Sequence, residues 1–161
     1  MRKILIPIAL AAFALSSAAA DAASERDAVM SIIHQWIDAA NRGDERTFVA
    51  LCAEQATIFD DFSPYKWQAP DACSSWWRDA HKDPDTTDFV LTVGRPLQIY
   101  METDRAYVVT RDSITFKVKG EPMRQTGSIH TFVLEKSSAG WRITGKAWAD
   151  TAPAAPIKAR S

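Results

Sequence analysis

Two carboxylates stand side by side in this sequence, Asp60 and Asp61, at the end of a short β-prone run over residues 56–59. A carboxylate at the rim of an apolar cavity is a usable general base, because desolvation raises its pKa towards the operating pH. Adjacent strand residues face opposite ways, so one of the two points inward; the alternative for the pair is a solvated turn. The second chemical group is His130, which shares a strand face with Thr126, Ser128, Phe132 and Leu134, while Gln125, Gly127, Ile129, Thr131 and Val133 share the other. Both faces are partly apolar, so alternation leaves His130 either an acid/base group or a core histidine satisfied by a carbonyl. His34, off the apolar stripe of its helix, and His81, near the end of another, read as surface residues. No CxxC or paired-histidine spacing is present, so neither a metal nor another cofactor is expected. Tyr65, Tyr100, Tyr107, Arg111 and Asp112 are further polar candidates that no spacing ranks.

Helices in the first half of the chain and strands in the second must position these groups. Ser24 and Asp27 read as a capping box, after which Val29, Ile32, Ile33, Trp36, Ile37 and Ala40 recur at helical spacing. That helix stops at Asn41-Arg42-Gly43, and Asp44 caps a shorter one carrying Phe48, Leu51 and Cys52. Residues 62–70 hold two prolines and no helical period, which makes a loop; Asp71 then caps a third helix through Trp76, Trp77 and Ala80. Beyond Pro84 come four strand runs, residues 89–101, 105–117, 123–135 and 141–149, separated by short turn signals. Connections that short impose antiparallel neighbours. The expected fold class is α+β, with the N-terminal helices packed in the concave face of a strongly curved, mostly antiparallel sheet.

The composition suits one globular domain: 161 residues, 47% hydrophobic and 24% charged. With 19 Lys+Arg against 20 Asp+Glu, no positive excess exists to bind nucleic acid. Arg2 and Lys3, the uncharged run 4–15 and the small residues 16–20 form the pattern of a secretory signal peptide over residues 1–20, with Ala22 as the alternative cleavage point. The apolar run falls short of the roughly 20 residues that span a bilayer. The expected product is exported, periplasmic or secreted, and free of the membrane after cleavage. It has a domain over residues 21–150, a flexible tail over 151–161 and a net charge of −3. An oxidising compartment permits Cys52 and Cys73 to pair, which would stabilise the fold by roughly 3 kcal/mol; the alternative is two buried thiols.

The order helix, Asn-Arg-Gly-Asp turn, second helix, "AEQATIFDD", third helix and long meander resembles the nuclear transport factor 2-like superfamily. This is the cystatin-like α+β cone that includes SnoaL-like polyketide cyclases, steroid Δ-isomerases and scytalone dehydratases. The resemblance runs from Ala28 to Asp150, and "WIDAANRGDERTFVALCAEQATIFDD" is its most specific piece. It implies a cone with an internal cavity and, counting from the Gly-Asp turn, places Asp60 where the steroid isomerases of the family carry their base. The two enolate-binding positions of those isomerases hold Trp36 and His130 here, so the resemblance points instead to an Asp60/His130 couple of the dehydratase type. The loop, third helix and last strand of the family surround the wide end of the cone. That gathers Trp67, Trp76, Trp77 and Trp148 there as an aromatic lid, and the expected binding set for a small apolar or aromatic molecule is Trp36, Trp67, Trp77, Tyr100 and Trp148. The alternative is that the indoles only pack helix against sheet. The expected function is a cofactor-independent isomerase, cyclase or dehydratase with Asp60 as base and His130 as acid or orienter. Its alternative is a non-catalytic binding module, or a homodimerisation module using the outer sheet face.

Overall fold

Helix α1 (Ala11–Asn41) is longer than its capping signals imply, and Ser24 lies inside it rather than at its start. Five alanines in the six residues 18–23 extend the helix towards the N-terminus, so no end exists there for a capping box to satisfy. This computed structural model describes residues 11–157, with side chains from residue 21; the first half of the expected export signal and residues 158–161 lie outside them. The stripe of Val29, Ile33, Trp36 and Ile37 is buried as its spacing predicts. At the helix end Gly43 takes φ +69°, and the Asn41 amide exchanges two 2.8 Å hydrogen bonds with the Leu91 backbone, which locks the helix onto the sheet. Asp44 caps α2 (Glu45–Ala50) by accepting from the Thr47 N–H at 3.0 Å. Asp71 stands at the start of α3 (Ala72–Ala80), but its side chain makes no capping bond.

The sheet contains β1 (Cys52–Phe59), β2 (Lys66–Gln68), β3 (Thr86–Thr92), β4 (Pro96–Met101), β5 (Arg105–Val118), β6 (Glu121–Ser137), β7 (Gly140–Ala149) and β8 (Ala155–Pro156). Its order is β2-β1-β7-β6-β5-β3, with β4 also on β5 and β8 on β6. The β1–β7 pair is parallel and every other pair antiparallel. The result is the cystatin-like α+β cone, a curved sheet that does not close and whose concave side holds the helices. Three details depart from the sequence reading. The run 89–101 divides into β3 and β4 around Gly94, where a Cβ would stand 2.0 Å from the Arg111 carbonyl oxygen, so only glycine permits the close crossing. The proline-flanked loop contains β2, which pairs with β1. The tail returns as β8, with Met123 opposite Pro156.

Two bulges decide which residues face inward. In β6, Ser128 pairs with Asp112 and Thr126 with Ser113, so Gly127 is an extra residue, with φ +83°. Gln125 therefore joins Ser128, His130, Phe132 and Leu134 on the buried side and Thr126 turns outward, the reverse of strict alternation. In β7, Val133 pairs with Gly145 and Leu134 with Ile143, so Thr144 is extra. Trp141 and Ile143 are buried before this bulge, and Lys146 after it.

Cys52 and Cys73 form a disulfide between the start of β1 and α3. The bond ties the helix that roofs the cone to its wall. Closing a loop of sequence separation 21 stabilises by about 3 kcal/mol. Guanidinium unfolding with and without reductant should show that loss, and the double Cys52→Ser/Cys73→Ser protein should match the reduced wild type; an unmoved midpoint would contradict the structural role.

Candidate functional site

Ala56 and Ile58 point into the core from β1, and Asp60, two residues further, continues on that face. Ile58 lies beside Lys146 in the parallel β1–β7 register, so the Thr144 bulge brings an ammonium next to the carboxylate. The two form an ion pair with side chains 6% and 3% exposed. Asp60 also accepts from Trp76 Nε1 at 2.8 Å and from the Asp61 N–H at 2.9 Å. Lys146 Nζ lies over the rings of Trp76 and Trp148, 4.7 and 5.9 Å from their centroids. Burial opposes both charges. For Asp60 the Lys146 charge and the N–H donors outweigh it and hold the carboxyl below its ordinary value, whereas for Lys146 burial prevails and its pKa lies below that of an exposed lysine.

His130 lies opposite Thr110, and its diagonal neighbour on β5 is Asp112. Its Nδ1 is 2.9 Å from Asp112 Oδ2, and Asp112 Oδ1 accepts the Gly94 N–H at 3.2 Å. A carboxylate only accepts, so Nδ1 carries the proton and Nε2 bears a lone pair. That nitrogen is buried and has no hydrogen-bond partner among the described residues; the same holds for Trp36 Nε1. The imidazole packs among Phe132, Trp148 and Trp36, with centroids at 4.1, 5.1 and 6.0 Å. Burial, helped by Lys146 and opposed by Asp112 and Asp60, pushes its pKa down to about 4, so the ring is neutral at physiological pH.

A third group lies at the cavity mouth. β1 ends at Phe59, so strand alternation lapses and Asp61 also reaches the cavity, where its carboxyl meets that of Asp150. Burial first, then the neighbouring Asp150 and Asp60 carboxylates, push Asp61 up to about 7. Asp150 is held low despite burial by donors that include Asp61 and Trp148, so the pair shares a proton near neutrality. Trp148 Nε1 donates to Asp150 Oδ1 at 2.6 Å, and its ring lies against His130, linking mouth and floor.

These groups face one cavity of about 500 Å³, walled by Trp36, Trp76, Trp77, Phe89, Phe116 and Trp148. Of the residues expected at a site, Asp60, His130, Trp36, Trp77 and Trp148 line it. Trp67 does not; it is buried behind Phe62 and donates to Asp79 at 2.8 Å. Tyr100 is also elsewhere, because its β4 position opposite Tyr107 is on the exposed face, where its hydroxyl meets Glu102. His34 is exposed, while His81 stacks on Trp77 at the cavity rim. Sequence reading passed over Lys146 and Asp150 and left Asp112 unranked. The signal that would have found Lys146, a bulge at Thr144, has no distinctive local composition.

Residues 29–146 match the SnoaL-like domain family. No curated protein sequence matches the chain. Among solved structures, it is similar to hexachlorocyclohexane dehydrochlorinase type 3 from Novosphingobium barchaimii LL02, with TM-score 0.73 and 10% identity over 85% of this chain and 92% of that one. It is similar to a ketosteroid isomerase-like protein from Erwinia carotovora atroseptica, with TM-score 0.63 and 16% identity over 79% and 96% of the two chains. A third likeness is to a nuclear transport factor 2-like protein with a cystatin-like fold from Novosphingobium aromaticivorans, with TM-score 0.67 and 17% identity over 84% and 87%. At these identities the likeness is one of fold.

Asp60→Asn strands the Lys146 charge in the interior and should cost about 3–5 kcal/mol in urea unfolding. Asp60→Asn/Lys146→Met should recover part of it, since no unpaired charge remains; a double variant as unstable as the single would refute the pairing. The pH dependence of stability has two opposing contributors. His130, depressed from 6.5 to about 4, contributes stability that is complete above 6.5 and lost as pH falls towards 4. Asp61, raised from 3.8 to about 7, contributes stability that is complete below 3.8 and lost as pH rises through 7. Asp61→Asn should therefore lose stability on acidification from pH 6.5 to about 4, where the wild type is buffered. A flat profile in that variant would rule out a neutral, buried His130.

Proposed function

The chain belongs to the SnoaL-like domain family, within the nuclear transport factor 2-like superfamily, and on that premise we propose that it is a cofactor-independent acid/base enzyme of the isomerase, cyclase or dehydratase type. Its substrate is a small apolar or aromatic molecule held in the Trp-lined cavity. The observation that carries this reading is the buried, unpartnered Nε2 of His130, a residue that lines that cavity, backed by Asp112 on Nδ1. In this mechanism Nε2 takes a proton from a carbon beside a carbonyl, and the electron pair moves onto the carbonyl oxygen. The Asp112 carboxylate stabilises the imidazolium that forms and holds the ring in the required tautomer, as the carboxylate does in a catalytic triad. The Lys146 ammonium supports the developing oxyanion in a site where charge is poorly screened. The proton shared by Asp61 and Asp150 is then available for delivery to the substrate or to a leaving group.

Asp60 takes a different part from the one its position by resemblance suggests. It receives one ammonium and two N–H donors, so its oxygens are committed to partners and not free to take a proton from a substrate. We assign it as the counter-ion that keeps Lys146 charged and in place. A purely binding role for the same cavity is the second reading, and it is favoured by the number of aromatic walls.

We also propose that the protein is exported. Residues 1–20 have the pattern of a signal peptide, and a disulfide suits an oxidising compartment. No helix among the described residues is long and apolar enough to cross a membrane. Leu97, Tyr100 and Tyr107 are exposed on β4 and β5, and a homodimer would use this face.

Proton abstraction can be read without the natural substrate, as deuterium exchange into arylalkyl ketones such as phenylacetone in heavy water followed by NMR. The wild type should accelerate exchange above buffer. His130→Gln should lower the rate by roughly 10²–10⁴, and Asp112→Asn should lower it with the fold intact. Exchange unchanged in His130→Gln would defeat the assignment, and a folded protein that exchanges nothing would leave the binding role.

A further inference from the structure

The cavity is apolar in its walls but lopsided in its charges. Asp60, Asp61, Asp79, Asp83 and Asp150 line it, and Lys146 is the only lysine or arginine among the described lining residues. That ammonium is already matched by Asp60. Asp79 and Asp83 are met by neutral donors, the Trp67 indole for one and the Thr86 hydroxyl with the Asp85 N–H for the other. Asp61 and Asp150 meet each other, with Trp148 Nε1 and Ser128 Oγ as neutral donors to Asp150. The mouth therefore carries uncompensated carboxylate beside the indole of Trp148. A ligand bearing a carboxylate or phosphate would enter against like charge. A cation would be attracted both by the carboxyl pair and by the aromatic faces around it.

A second, independent observation points to a ligand deeper in the cavity. Among the described residues, Trp36 Nε1 and His130 Nε2 are buried and have no hydrogen-bond partner, and both residues line the cavity. One is a donor and the other an acceptor, so a ligand that also carries a hydroxyl at the end opposite its cation gains partners for both. We propose that the substrate class of this site is a small aromatic or apolar amine, whose ammonium sits between Asp61 and Asp150 against Trp148 and whose body lies among Trp36, Trp76 and Phe116. This rests on reading the cavity as the substrate site, and it narrows that reading from any apolar molecule to a cationic one. The ammonium takes the place of the proton that the two carboxyls otherwise share, so binding to the protonated pair releases a proton to solvent.

Three probes of matched shape test this on the full chain: 2-phenylethylamine, 2-phenylethanol and 3-phenylpropanoate, followed by tryptophan fluorescence and calorimetry. At about pH 8, where the amine is charged and Asp61 is largely ionised, the amine should bind at least about tenfold more tightly than the alcohol, with the carboxylate weakest. Asp150→Asn, at an exposed position, and Asp61→Asn/Asp150→Asn should bring the amine to the level of the alcohol without changing the alcohol's affinity. The ratio of amine to alcohol affinity reads selectivity separately from proton abstraction. If ketone exchange fails while the preference holds, the cationic site stands without the enzymatic reading. Alcohol or carboxylate binding as tight as that of the amine, a preference that survives in the double variant, or no binding of the amine in the millimolar range would overturn the proposal.

Discussion

The interior of this cone is organised by one buried ion pair, Asp60 with Lys146. Taking both charges out of water costs several kcal/mol per ion, and well-packed apolar residues would serve stability at least as well. The pair holds only because each charge has further partners. Trp76 and the Asp61 N–H complete the shell of the carboxylate, and two indole faces cover the ammonium. Those partners come from α3, the end of β1 and the end of β7, so one charge pair fixes the relative positions of roof and wall. The disulfide fastens the same helix to the same strand from the other side. An arrangement this demanding is better explained by what it places in the cavity, a desolvated positive charge, than by stability.

Around that charge the site sorts its protons by environment. His130 is deep and dry and stays neutral, with its proton committed to Asp112. Asp61 is at the rim beside two other carboxylates and retains a proton near neutrality. A bare nitrogen on His130 and a protonated carboxyl at the mouth, with Trp148 between them, are the groups on which the proposed acid/base chemistry draws. Gly94 supports this division at a distance: only a residue without a side chain lets the backbone cross β5 closely enough to present its N–H to Asp112.

Much of the fold was legible before any coordinates. The helical stripe of α1, the Gly43 stop, the Asp44 cap and the strand runs over 105–117, 123–135 and 141–149 are local patterns, and the structure contains each of them. The elements that escaped have tertiary causes. β2 and β8 are short segments that exist as strands because β1 and β6 offer them an edge. The division of β3 from β4 follows from the close approach of Gly94 to β5 rather than from a turn signature. Family resemblance pointed to Asp60 by counting from the Gly-Asp turn and to His130 by its strand position, and both residues line the cavity. It attached the role of base to a carboxylate whose partner, Lys146, no count along the chain could reveal.

The difference is one of range. Helix and strand periods repeat over two to four residues, so composition and spacing were enough for the α+β architecture, while they left open whether Cys52 and Cys73 pair and whether the indoles wall a cavity or only pack helix against sheet. The direction of a side chain beyond a bulge depends on the neighbouring strand. Gly127 and Thr144 become extra residues only against the registers of β5 and β6. Those two registers turn Gln125 and Lys146 inward and so set the charge of the cavity. Local sequence supplied the groups; the pairing of distant strands chose which of them meet.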